Sequence, residues 1–176
     1  MANKRTVTFT IVSAYNGGVR SDPYTGQEYI EQLEVSGAKT DRLNTFFKDH
    51  NRSVDSAIGR VDRIRVEQGS LKADVFFGND SDSDSILNKY RDGILTDVSI
   101  GYSIDDHNIE VREGEPDVVT VTDFSIMELS AVGIGFDQGA KVDRAVKANI
   151  MRRIDALSKK LDERSDRKLN KKESRW

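Results

Sequence analysis

The feature that most constrains this chain is a change of hydrophobic period close to Gly139. Before it, apolar and polar residues alternate. Val7, Phe9 and Ile11 are interleaved with Thr6, Thr8 and Thr10, the period of two that gives a strand one buried face. Leu33 and Val35 predict a second strand ending at Gly37, and Val61, Ile64 and Val66 a third. Leu71, Ala73, Val75 and Phe77 predict a fourth, joined to the third by the turn Glu67-Gln68-Gly69-Ser70. Further strands are expected at Val98 to Ile104, Val118 to Val121 and Ile126 to Val132. Only two short helices are expected, Asp41 to Phe47 and Asp84 to Arg91, the second stopped by Gly93. Many short strands with few helices imply a barrel or a sandwich. Behind Gly139 the pattern changes. Val142, Val146, Ile150, Ile154, Leu157 and Leu161 step by three or four, which draws one apolar stripe along a helix before a polar tail.

Length and charge agree with this division. A chain of 176 residues suits one domain with an appendage, here 1–140 and 141–176. The net charge of −3 conceals an asymmetry. The last 36 residues hold 13 Lys and Arg against 6 Asp and Glu, so the body before them carries −10. A basic tail on an acidic body suits a tether to an acidic partner or a plain charged helix, and charge alone leaves both open. No cysteine is present, which removes thiol nucleophiles, disulfides and thiolate metal sites. No apolar run approaches the roughly 18 residues of a membrane span, and the first residues do not form a signal-peptide core. The expectation is a soluble protein without a cofactor, with no membrane partner.

Several motifs fail on inspection. Asp80, Asp82 and Asp84 have the spacing that opens a calcium loop, but Ser85 and Arg91 stand where Gly and Glu are required. The same residues suit a helix N-terminus. Gly133, Gly135 and Gly139 miss the dinucleotide spacing by one residue. Asp97-Val98-Ser99-Ile100-Gly101 lacks the first glycine of a nucleophile elbow.

What survives is a serine, a histidine and a carboxylate. Ser99, Gly101 and Ser103 form a strand face of small residues that lets another backbone approach closely, packed against a neighbouring element, or floors a groove for an extended peptide. His50 ends the turn Phe47-Lys48-Asp49-His50. Glu128 is flanked by Met127 and Leu129, so a carboxylate there either stands at a barrel rim or is held by a specific donor. A serine hydroxyl becomes nucleophilic when a neutral imidazole takes its proton, and the imidazole needs an acceptor to fix its tautomer. His107, in Asp105-Asp106-His107-Asn108, reads as a surface-turn residue.

Three stretches carry a resemblance. Asp49-His50-Asn51 followed by Ile58-Gly59-Arg60-Val61, the run Tyr90 to Tyr102 containing Ser99-Ile100-Gly101, and Met127-Glu128-Leu129-Ser130-Ala131-Val132 resemble, in that order, the motifs of the prohead serine proteases of tailed phages. That family shares a fold with herpesvirus assemblin. The resemblance implies a mainly β chain with flanking helices, a small closed β-barrel and a C-terminal helix. It implies Ser99 as nucleophile, His50 as base and Glu128 as third member. The partners it implies are the major capsid protein and its scaffold or delta segment, cleaved inside the procapsid in the host cytoplasm, with self-cleavage and self-association. Two departures stand out: Gly133-Ile134-Gly135-Phe136 replaces the proline-rich exit of the Glu-bearing strand, and Lys48-Asp49 precedes the histidine. A catalytically silent assembly protein of the same fold is the alternative. A nucleic-acid-binding barrel is a third reading, disfavoured because the barrel is acidic.

Overall fold

Alternating sequences of this kind can bury their apolar face only by pairing strands, and these stretches do so among the described residues. The computed structural model describes residues 5–143. Among them run β1 (Thr6–Val12), β2 (Gly18–Ser21), β3 (Glu28–Leu33), β4 (Ala38–Lys39), β5 (Thr45–Lys48), β6 (Ala57–Glu67) and β7 (Ser70–Phe77). The helix α1 (Ser81–Arg91) follows, then the long strands β8 (Val98–Glu110) and β9 (Asp117–Ala131). All nine strands belong to one sheet, in the order β1-β7-β6-β5-β9-β3-β2, with β4 and β8 also paired to β9. No helix among the described residues is long and apolar enough to cross a membrane.

The strand β9 organises everything else. Along one edge it takes β3, β4 and β5 in turn, all parallel to it, and along the other it pairs antiparallel with β8. One face of this sheet holds Phe9, Phe46, Phe77, Phe124, Ile126 and Leu129, all essentially inaccessible to solvent. Phe9 packs edge-on against Tyr90 of α1 with ring centroids 4.9 Å apart, and Phe46 against Phe77 at 5.4 Å. The Tyr90 hydroxyl donates to the Asp97 carbonyl at 2.8 Å, which fixes the chain immediately before β8. The Asp80-to-Asp84 run does cap α1: the Asp80 carboxylate accepts the Ser83 amide at 2.9 Å.

The structure corrects four expectations. The sheet is not closed into a barrel by its ladders. Its ends are approached by isolated bridges instead, Phe9 to Val142 and Asp97 to Lys141, so residues assigned to the appendage by period help cover the gap. Asp41 to Phe47 is not a helix, because Thr45–Lys48 is a strand inserted between β6 and β9. The aromatic pair Phe46-Phe47 serves that strand, with Phe46 inward. The two strands expected over residues 118 to 132 are one continuous strand of 15 residues. His107 lies on β8 opposite Val121, not in a turn. The helix expected beyond residue 143 lies outside the described residues.

Candidate active site

Three neighbouring strands, β5, β9 and β8, carry the candidate residues. Phe46, Leu129 and Ile100 are register partners across them and turn inward. Phe47, Ser130 and Ser99, the next residues along, therefore share the opposite face. Two positions further along on that face, Gly101 stands opposite Glu128.

His50 reaches this face from a tight turn after β5. The Asn51 amide donates to the Lys48 carbonyl at 3.0 Å, and the two central residues have positive φ, +54° at Asp49 and +56° at His50. This is the conformation of a type I′ turn, for which Asp and His are among the more tolerant residues that carry a side chain. The Asp49 amide donates to the Ala131 carbonyl at 2.9 Å, so the turn is pinned to the end of the strand that carries Glu128. On its other side, Lys48 pairs with Asp82 of α1 at 2.6 Å. Two left-handed residues in succession are unfavourable backbone, held here by bonds at both ends.

The turn brings His50 onto Glu128: imidazole Nδ1 lies 2.5 Å from Oε1 of the carboxylate. Glu128 is 1% exposed, whereas the His50 side chain is 45% exposed. A carboxylate so buried needs partners for both oxygens. The second is Ser130, whose hydroxyl donates to Oε2 at 2.6 Å. With Nδ1 held by a carboxylate, Nε2 is the nitrogen left to face a substrate hydroxyl or water.

Gly101 explains how a carboxylate fits against the sheet. A Cβ added there would stand 2.5 Å from Glu128 Oε1 and 3.0 Å from Arg52 Nη2. The missing side chain is the space the charged groups occupy. Gly101→Ala is therefore expected to displace Glu128 or Arg52 and lower activity by roughly 10- to 100-fold, as loss of a supporting contact does. Steady-state assays with a melting curve check it, and an unchanged rate in a folded variant would refute this role.

Sequence reasoning named Ser99, His50 and Glu128 but missed the support that Ser130 gives the Glu128 carboxylate. Ser130 was signalled by its spacing of two from Glu128, which in a strand means the same face. His107 is exposed and lies eight positions along β8 from Ser99 in the same strand. Among the described residues, no group of three or more His, Cys, Asp or Glu could hold a metal ion.

No curated protein and no solved structure matches the chain. The family model for the caudovirus prohead serine protease matches residues 28–157, a span that contains β3 through β9 and with them His50, Ser99, Glu128 and Ser130. The chain belongs to the caudovirus prohead serine protease family.

Proposed function

We propose that this protein is the endopeptidase of capsid maturation, with Ser99 as nucleophile, His50 as general base and Glu128 as the group that orients the base. The observation that carries the proposal is the bond of 2.5 Å between His50 Nδ1 and the buried Glu128, made on the sheet face that Ser99 shares. Ser99 is half-buried and stands directly opposite Ser130, a register in which Cβ atoms are roughly 4.5–5.5 Å apart. Ser130 in turn holds the Glu128 carboxylate. The nucleophile and the base thus flank one strand, β9, that carries their common support.

The chemistry follows from these roles. His50 Nε2 takes the Ser99 hydroxyl proton as Oγ forms its bond to the scissile carbonyl carbon, and the carbonyl electron pair moves onto oxygen. Glu128 stabilises the imidazolium that results and keeps Nδ1–H directed at itself. When the tetrahedral species collapses, the peptide C–N bond breaks and the leaving amine takes the proton from Nε2. Water then repeats the sequence on the acyl-enzyme, with His50 again as base. The substrates implied by family membership are the capsid protein and its scaffold or delta segment, within the procapsid in the host cytoplasm, and the chain itself.

A small alkyl fluorophosphonate tests the reading. It is expected to label the wild-type protein once, at Ser99, and to label His50→Ala at least roughly 100-fold more slowly. A folded chain that takes no label would instead support the reading as a silent assembly protein.

A further inference from the structure

His50 is not the only charged side chain that the turn after β5 delivers to the face of Ser99. The chain runs on through Asn51 and Arg52 into a short 3-10 turn, Val54–Ser56, and then into β6. Side chains hold this stretch at two points. The Asn51 carboxamide oxygen accepts the Ser53 amide at 3.0 Å, and the Ser53 and Ser56 hydroxyls lie 2.9 Å apart, with Ser56 buried. Arg52 is the residue spanned by the first of these bonds, so its backbone is set while its side chain reaches outward.

That side chain goes to Gly101. Nη2 stands 3.0 Å from where a Cβ of Gly101 would be, on the outward face that Ser99 shares. Ser99 and Gly101 are two positions apart on β8, roughly 7 Å at the usual strand rise. Glu128 Oε1 flanks the same Cβ position at 2.5 Å, but the two carboxylate oxygens already hold His50 and Ser130. Among the described residues the exposed Arg52 makes no hydrogen bond and no ion pair. Its fork of donors matches the two oxygens of a carboxylate.

Which part of a substrate it meets follows from the base. A base that takes the serine proton must also hand it to the departing amine, so it stands on the leaving-group side of the scissile bond. Arg52 follows His50 by two residues and lies beside the carboxylate that holds His50, which puts it on that same side. An oxyanion donor belongs at the acyl carbonyl instead. We propose that Arg52 determines specificity by binding the carboxylate of an acidic side chain at the first or second substrate position beyond the cleaved bond. The proposal rests on Ser99 being the nucleophile and His50 its base.

Acyl transfer from p-nitrophenyl acetate tests it. The ester acetylates Ser99 and releases nitrophenolate. The acetyl-enzyme is then attacked by water, giving acetate, or by the α-amine of an added dipeptide amide, giving the acetylated dipeptide amide. Either way His50 takes the proton of the attacking group and returns it to Ser99 Oγ as the ester C–O bond breaks. The amine enters from the leaving-group side, and the ratio of the two products cancels any change in the strength of the base. The acceptors are Glu-Ala and Ala-Glu amides, each with Gln and Lys counterparts, and products are counted above the background of Ser99→Ala. In the wild-type protein the better Glu acceptor should give a ratio at least roughly fivefold above its Gln counterpart, the size of a charge-assisted pair open to water. In Arg52→Gln the preference should vanish, and in Arg52→Glu the Lys acceptor should lead. Equal ratios for Glu and Gln in the wild-type protein, or a Glu preference that persists in Arg52→Gln, overturn the assignment while leaving Ser99 as nucleophile. A folded protein that leaves Ser99 unacetylated overturns both, since no acyl-enzyme would form for Arg52 to serve.

Discussion

Ser99→Ala is expected to abolish cleavage of capsid and scaffold protein, with a fall in rate of roughly 10⁴- to 10⁶-fold. The substitution removes one hydroxyl from a half-buried position on a face of small residues, so the fold should survive with a stability change within about 1 kcal/mol. His50→Ala should fall by a similar factor. The double variant should be no slower than either single one, because a nucleophile without its base and a base without its nucleophile are equally idle. Single-turnover processing of the capsid protein, with circular dichroism on each variant, measures both halves. Normal cleavage by a folded Ser99→Ala protein would sink the assignment and require another nucleophile.

Glu128→Gln should be the next most damaging change, by roughly 10²- to 10⁴-fold, for a reason that lies in the tautomer. The carboxylate accepts twice, from His50 at one oxygen and from Ser130 at the other. An amide offers an accepting oxygen at one end and a donating NH2 at the other. If the NH2 faces His50, Nδ1 must accept, the ring proton moves to Nε2, and the base is lost. If it faces Ser130, the hydroxyl rotates to accept, and the imidazole keeps its tautomer but loses the negative charge that stabilises its protonated form. Since a hydroxyl can reorient and a fixed ring cannot, the second arrangement should be populated and some activity retained. The loss should therefore be smaller than for Ser99→Ala. Ring-nitrogen NMR on His50 would report the tautomer, and a rate within twofold of wild type would show that Glu128 does not support the base.

How much of this was legible beforehand depends on whether a feature is local. The alternation of Val7, Phe9 and Ile11 reads correctly as a strand, because the period of side chains along a strand is a property of the backbone. Val61, Ile64 and Val66 read as a strand, but their step of three was passed over. It coincides with a break in the β6–β7 register between Asp62 and Arg65, where Arg63 takes φ of +40°. The stretch from Asp41 to Phe47 misled, because a strand of four residues is too short to show a period, and its parallel pairing with β9 involves residues more than 80 positions away.

The site divides along the same line. A serine on a small-residue face, a histidine at the end of an apolar segment and a carboxylate between Met127 and Leu129 are statements about neighbours in sequence, and the sequence by itself singled out all three. It also determined Gly101, since a strand interior tolerates glycine badly unless something must come close. What came close was a question only the tertiary structure could decide. The meeting of His50 with Glu128 depends on β5 lying parallel to β9, on a turn with two residues of positive φ, and on the Asp49 amide reaching Ala131, contacts that span 78 residues or more of chain. The packing free energy that holds the turn in an unfavourable conformation comes from both strands at once, and no window of sequence contains it.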